Sequence, residues 1–393
     1  MEGFKQYLPT EIVFGKDTQI EVSHLVKKYG GSRVFIAYGD GSVVKSGLLK
    51  EVEGYLEDAN IAYKSVGGIK PNPLMSYAIE LAAKAKEFNA DIILAVGGGS
   101  VIDTAKAITY GVAYEPESIE SFWDGDSEPK KRLPIGVILT ISAAGSETSN
   151  SAVLTNEKTG IKKGLGIDLN RPDFAIMNPE LTYTLPKYQV SCGIVDIYMH
   201  TIERYFTPPS ENDMTDEIAE GLMRNVIKNG HAAYSNPTDY HAMSEIMWCG
   251  SLSHNGITGY GRTQDFSVHG LGHPLSSYYD IAHGATLSAL WGSWARYVYK
   301  KDTKRFAHYG KHVFGIEGKD DSESALMAIA ATEKFFASLD MPISIGQLST
   351  GVLADDKLKE LAENATHYGK RVLGSFIEIR AKEGYEIYKD ANK

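Results

Sequence analysis

The sequence predicts an α/β N-terminal half, a doubly wound, Rossmann-like parallel sheet, followed by an all-α C-terminal half. Three observations carry this. Residues 1–180 alternate short apolar runs, glycine turns and amphipathic segments, the pattern of successive βαβ units. After Asn178-Pro179 the strand signals vanish, and nearly everything to residue 393 fits helices with short polar breaks. At 393 residues the chain is longer than one core ordinarily serves. The change of character near Leu185-Pro186 divides it into domains 1–185 and 186–393.

The elements follow in order. Glu11-Ile-Val-Phe reads as a short strand ending at Gly15. Arg33-Val-Phe-Ile-Ala-Tyr is a buried-type strand, followed by Gly39-Asp40-Gly41-Ser42 and a helix carrying Val44, Leu48, Leu49 and Val52. Ile61 to Val66 is the next strand, and a helix is expected from Lys70-Pro-Asn-Pro-Leu to about Asn89. Asp91-Ile-Ile-Leu-Ala-Val then runs into Gly97-Gly98-Gly99-Ser100 and a helix from Val101 to near Tyr110. The segment Trp123-Asp-Gly-Asp-Ser-Glu-Pro reads as a polar, solvated loop without the full twelve-residue calcium pattern. Leu133 to Thr140 is another buried strand. Ala152-Val-Leu-Thr and Lys162 to Ile167 pair as a hairpin with Thr159-Gly160 near its turn. In the helical half, breaks are expected at Pro208-Pro209, Asn236-Pro237 and Gly318-Lys-Asp-Asp. In open sheets of this kind ligands bind beyond the carboxyl ends of the strands.

Composition narrows the function classes. With 43% hydrophobic and 23% charged residues the chain is of the soluble globular kind, and its net charge of −10 argues against a nucleic-acid partner. Two cysteines, Cys192 and Cys249, make no disulfide framework and fit a reducing compartment. The start Met-Glu-Gly-Phe-Lys-Gln-Tyr lacks the regions of a signal peptide, and no stretch has the apolar length of a membrane span. The cytoplasm is the expected location, with no membrane partner.

The richest stretch runs from Gly193 to Gly284 and holds seven of the 11 histidines. Asp196 and His200 are four apart, so on a helix they share one face. His269 and His273 repeat that spacing on a second helical segment, and His283 opens a third. A polar pair at this spacing is common on solvated helix faces. Here, however, Ile194, Val195, Ile197 and Met199 surround the first pair, and Val268, Leu271, Ile281 and Ala282 the later histidines. A carboxylate in such surroundings is costly unless paired. The set reads as a divalent-metal site with an open coordination position.

Two turns in the first half are candidates for a nucleotide. Gly97-Gly98-Gly99-Ser100 lies between a strand and a helix, where backbone N–H groups and the helix dipole can hold a pyrophosphate. Its glycines would allow close approach of a ligand and unusual φ values. It is neither Gly-x-Gly-x-x-Gly nor a Walker loop, and a simple tight turn is the alternative. Asp40 at the end of a strand can hydrogen-bond an adenosine ribose and repel a 2′-phosphate, or serve only as a turn former beside glycine.

These residues resemble the iron-containing (group III) alcohol dehydrogenases, closest to the butanol dehydrogenase-like branch, over essentially the whole chain. The resemblance is carried by Gly97-Gly-Gly-Ser-Val-Ile-Asp103-Thr-Ala-Lys106, by Asp196-x-x-x-His200, and by His269-Gly-Leu-Gly-His273-Pro-Leu with His283-Gly. It implies the dehydroquinate synthase-like architecture and one divalent ion, usually ferrous iron and sometimes zinc, bound by Asp196, His200, His269 and His283. His273 matches a histidine near substrate and cofactor that is not a permanent ligand. Gly97, Gly98, Gly99 and Ser100 match the pyrophosphate loop. Asp103, Ser142, Ser146 and Lys162 match positions lining the cofactor toward the nicotinamide, and Asn72 is similar to another. NADP-using relatives tend to have Gly-Gly-Gly-Ser where Gly39-Asp40-Gly41-Ser42 stands, so NAD(H) is favoured over NADP(H). A homodimer is the family-based expectation.

One Asp and three His suit Fe(II), Mn(II) or Zn(II). Cys192, four before Asp196, either offers a thiolate that favours zinc or is a small buried residue beneath the site. The metal would act as a Lewis acid on the oxygen of a small alcohol or aldehyde, with hydride exchanged with the nicotinamide and His273 relaying the proton. Phe266, Tyr260 and residues near Ile141 are the expected pocket walls. His254 is expected to lie outside the metal set. Two alternatives stand beside this reading: glycerol dehydrogenase-like polyol oxidation on the same scaffold, and a metal-dependent hydrolase in which the glycine turn is only structural.

Overall fold

The computed structural model describes residues 1–208 and 211–393. Pro209, half of one expected helix break, lies outside the described residues. The chain divides into two compact units, Tyr7–Leu185 and a second made of Met1–Gln6 with Pro186–Lys393.

The first unit holds β1 (Glu11–Phe14), α1 (Val22–Lys28), β2 (Arg33–Gly39), α2 (Ser42–Lys45), α3 (Leu48–Asp58), β3 (Ala62–Ile69), α4 (Met75–Glu87) and β4 (Ile92–Gly97). It continues with α5 (Gly99–Ala113), α6 (Ser118–Asp124), β5 (Ile135–Leu139), β6 (Ser151–Asn156), β7 (Ile161–Gly166) and β8 (Phe174–Met177). Six strands form one parallel sheet in the order β1-β8-β5-β4-β2-β3, and β6 and β7 form the expected antiparallel hairpin. The continuous apolar runs of β4 and β5 are buried along their whole length, as strands covered on both faces must be. Val34, Ile36, Leu94, Val96, Ile138 and Ile176 of the sheet join Val22, Leu25, Val52 and Leu56 of α1 and α3 in one core.

Three local expectations need correction, and one helix was not foreseen. The helix expected from Lys70 begins at Met75, because Pro71 and Pro73 disfavour helical backbone in the residues before them and Asn72 turns left-handed at φ 55. The helix expected after Ser42 is two, α2 and α3, separated at Gly47, which adopts φ 85. The supposed solvated loop at Trp123 is partly helical, and the Trp123 ring is 1% exposed, packed edge-on to Tyr110. The helix α1 had no sequence reading at all.

The second unit is built from α7 (Lys187–Tyr205), α8 (Asp213–Ser235), α9 (Tyr240–His254), α10 (Ser267–Tyr279), α11 (His283–Val298), α12 (Thr303–Phe314), α13 (Asp321–Ala337), α14 (Asp355–Ala365) and α15 (Ala381–Ala391). Both α7 and α11 are buried around nearly their whole circumference, the mark of central helices. The first residues of the chain are tied to this unit: Glu2 N–H donates to the Gly261 carbonyl at 3.0 Å, and Phe4 stacks on Tyr260. No helix among the described residues is long and apolar enough to cross a membrane.

Candidate metal centre and nucleotide turn

A buried polar stripe on α7 begins the site. Asp196, His200 and Glu203 recur at intervals of four and three residues, so one helical face carries all three, and each is at most 5% exposed. His269 comes from α10 and His283 is the first residue of α11. Gly284 lets α11 start there: a Cβ on it would lie 2.2 Å from the Cys192 carbonyl oxygen, one turn before Asp196 on α7. The close backbone approach brings His283 to the stripe.

The ligand atoms converge. His200 Nδ1 lies 3.6 Å and His269 Nε2 3.5 Å from Asp196 Oδ1, and His283 Nε2 is 4.0 Å from the same oxygen. Asp196, His200 and His269 each contribute one atom to a mutually close group within 4.8 Å, which His283 approaches without joining. Asp196 Oδ1, His200 Nδ1 and His269 Nε2 are buried and make no hydrogen bond. Three orphaned polar atoms at one point are costly unless something satisfies them. Two ligands about 2.1 Å from one ion at a tetrahedral angle lie about 3.4 Å apart, close to the separations found. The residues therefore fit a divalent ion of borderline softness.

Glu203, which the sequence reading passed over, organises α10. Its Oε1 accepts from the Val268 N–H at 2.6 Å and the His269 N–H at 3.3 Å, capping the helix start. Its other oxygen takes the Nδ1 side of the His269 ring. That fixes Nδ1 as the protonated nitrogen and turns Nε2 toward Asp196, as a carboxylate behind a metal-binding histidine does. Its local signal is the spacing alone, three residues past His200 on the same helix.

Electrostatics separates the two inner histidines. Burial lowers the His200 imidazole well below its ordinary pKa, helped by His254, His269 and Arg204. Burial acts the same way on His269, but Glu203 and Asp196 outweigh it and push that group up to about 9. Burial, with Asp196 adding to it, drives the Cys192 thiol up to about 12. Cys192 lies one turn before Asp196 on α7 as a free, partly buried thiol.

The surrounding residues are partly as expected. The His273 ring is half-buried, one turn past His269, with its centroid 5.6 Å from that of His283. Phe266 packs its ring edge on His269 at 5.1 Å and accepts the Arg204 guanidinium on its face at 4.6 Å. It holds a left-handed φ of 56, strain for a bulky residue that Asp265 secures by accepting from the N–H groups of Ser267, Ser375 and Phe376. Tyr260 stacks on Phe4 rather than on the histidine cluster. His254 is not remote: its ring stands edge-on to His200 with centroids 4.0 Å apart.

In the sheet unit, β2 and β4 are neighbours while their chain continuations run to opposite sides, to β3 and to β5. The strand order thus reverses between the ends of these two strands, where a nucleotide crevice is expected. Asp40 is exposed at the end of β2, and Gly97, Gly98, Gly99 and Ser100 join β4 to α5. None of these three glycines has a positive φ, so the expectation of unusual backbone angles fails. Close packing requires them instead: a Cβ on Gly98 would lie 2.1 Å from Ile141 Cγ2.

The remaining candidates form two groups. Asn72, itself at φ 55, accepts from Lys162 Nζ at 3.0 Å. Asp103 accepts from Ser146 Oγ and, at 2.9 Å, from the Val153 N–H, and buried Lys106 donates to Ser146 Oγ at 2.8 Å and the Ser151 carbonyl at 2.7 Å. Both Asp103 oxygens are thus engaged, one with the connection between β5 and β6 and one with β6 itself. Ser142 is buried with its hydroxyl unpaired.

Residues 9–179 match the model of the iron-containing alcohol dehydrogenases, and residues 190–392 match the C-terminal model of the same Fe-containing family. The chain belongs to the iron-containing alcohol dehydrogenase family. It is 38% identical to NADH-dependent butanol dehydrogenase A of Clostridium acetobutylicum, over 99% of each chain. It is 34% identical to the NADPH-dependent aldehyde reductase YqhD of Escherichia coli over the full length of both. A crystal structure of NADH-dependent butanol dehydrogenase A from Thermotoga maritima superposes with a TM-score of 0.95 at 34% identity, covering 100% of this chain and 99% of that one. The protein is an NAD(P)-dependent alcohol/aldehyde oxidoreductase of the butanol dehydrogenase-like branch. The hydrolase alternative is thereby set aside.

Proposed function

We propose that this iron-type alcohol dehydrogenase interconverts small apolar aldehydes such as butyraldehyde with their alcohols. NAD(H) is the preferred carrier, and Asp196, His200, His269 and His283 hold a ferrous ion, with zinc the alternative. The observation carrying the proposal is the convergence of unpaired, buried Asp196 Oδ1, His200 Nδ1 and His269 Nε2, with His283 Nε2 beside them. In this reading residues 1–185 bind the dinucleotide and 186–393 supply the metal ligands, in a cytoplasmic homodimer. The free thiols Cys192 and Cys249 accord with a reducing compartment.

The bound ion supplies Lewis acidity toward a substrate oxygen, and the nicotinamide supplies or accepts hydride. The chain's own residues do the rest. The amides at the start of α5 hold the pyrophosphate, and the Asp40 carboxylate accepts from the adenosine ribose. Asn72, Asp103, Ser142, Ser146 and Lys162 shape the cofactor site, Asp103 and Ser146 through the network that fixes α5. An imidazole nitrogen of His273 passes a proton to the substrate oxygen, and Phe266 keeps water from the histidines.

The test is an assay of the full chain reconstituted with Fe(II) or Zn(II), comparing NADH with NADPH on butyraldehyde and on glycerol in reverse. Butyraldehyde reduction that requires metal and runs faster with NADH supports the proposal. Metal-independent reduction, or turnover of glycerol alone, overturns it.

A further inference from the structure

A second cluster of metal-ligating side chains stands in the helical unit and shares no residue with the first. Glu220 of α8 is 1% exposed, and its ligand atoms lie within 4.8 Å of those of His308 and His312 on α12. The two histidines are four apart on one helix face, their rings stacked at 3.9 Å and 14°. This sets a nitrogen of each beside the other. His308 Nε2 is 3.0 Å from Glu220 Oε1, and His312 Nδ1 is 3.3 Å from Oε2.

The charge pattern around Glu220 is uneven. One turn earlier on α8, Asp216 is met by the guanidinium groups of Arg262 and Arg305. Glu220 accepts a hydrogen bond from the Tyr205 hydroxyl at 2.7 Å and feels the Arg305 charge at longer range, Arg305 itself being paired with Asp216; its direct ion-pair partners among the described residues are the two imidazoles. A carboxylate so deeply buried ordinarily needs a full cation or a metal. We propose that Glu220, His308 and His312 form a second site, for a divalent transition metal of the zinc(II) class, clamping α12 to α8.

Two imidazoles and one carboxylate select Zn(II), Co(II), Ni(II) or Cu(II) over Ca(II) and Mg(II), which take oxygen ligands. His308 and His312 keep 45% and 35% of their side-chain surface exposed. The ion therefore enters from solvent and keeps water in its remaining positions, while Glu220 anchors it from within.

Equilibrium dialysis of the full-length, iron-loaded protein against Co(II) or Zn(II), followed by elemental analysis, tests this. Uptake of one equivalent beyond the first site is expected, with a Co(II) ligand-field band. His308→Ala and His312→Ala, at partly exposed positions, should each weaken that uptake at least about tenfold and leave butyraldehyde reduction unchanged. Zn(II) should raise the melting temperature of the wild type but not of the double variant. His200→Ala should abolish binding at the first cluster and keep the second, which separates failure of the two sites. Absence of the extra equivalent, or its persistence in the double His308→Ala/His312→Ala variant, would overturn the proposal.

Discussion

The His269 ring donates from Nδ1 to the carboxylate of Glu203, a side chain with 0% exposure. The same carboxylate receives the Val268 N–H at the start of α10. One group on α7 therefore fixes both the helix that carries His269 and the nitrogen that His269 turns toward Asp196. Glu203→Gln keeps an oxygen for the cap but removes the charge behind the ring. Metal affinity is expected to fall about 10–100-fold, with far-UV circular dichroism unchanged. Metal content of the dialysed variant checks this, and wild-type retention would reduce Glu203 to a helix anchor.

The contact of His254 with His200 changes which histidine serves as a control. His254→Ala opens space along one edge of the His200 ring, whose centroid it approaches to 4.0 Å. Its butyraldehyde reductase activity is expected to drop about tenfold, the scale of losing an outer support of a metal ligand. Exposed His231 on α8 should tolerate alanine without effect. His269→Ala, which removes a ligand atom, should lose metal and activity together. Full activity in His254→Ala would show that the His200 ring holds its orientation unaided.

Asp40 tests the cofactor preference. A carboxylate close to a 2′-phosphate costs about 1 kcal/mol per charge at water's dielectric, and a phosphate carries about 1.5 charges or more, which makes about a tenfold difference in affinity. Asp40→Ser should lower the KM for NADPH about tenfold and leave that for NADH nearly unchanged. Steady-state kinetics with both carriers would show it. An unaltered ratio would mean that Asp40 is only the turn residue before Gly41.

Much of this molecule was legible because its signals are periodic. β4 and β5 are continuous apolar runs, and their shortness beside Gly97 and Pro134 marks strands buried on both faces rather than helices. Asp196 with His200, and His269 with His273, keep the helical interval, so each pair could be assigned to a helix face without coordinates. Glu203 escaped because its partner His269 is distant in sequence: the link is tertiary, and a lone Glu on a helix reads as surface. Trp123 escaped for the opposite reason, since polar neighbours masked a ring buried against Tyr110. The φ expectation at Gly97 to Gly99 failed because the sequence marks a small residue without saying whether torsion or space demands it. Glu220 with His308 and His312 likewise joins distant segments.

Asp216 sits between Arg262 and Arg305, both at 2.6 Å, and Arg305 also lies on the Tyr205 ring. Burial works to raise the Asp216 carboxyl, and the two guanidinium groups outweigh it, holding it below the usual carboxylate range. A depressed folded-state pKa means stabilisation that is complete above the unfolded value of about 3.9 and is lost as pH falls through the folded value. Asp216→Asn leaves the Arg262 side chain, 2% exposed, without its counter-charge, a loss of about 3 kcal/mol or more at neutral pH. Denaturant melts should place the variant well below wild type at pH 7, with the gap narrowing through the acid limb. A gap that stays constant down to pH ~2, below the ordinary carboxylate range, would show that the arginines stabilise α8 by packing rather than by charge.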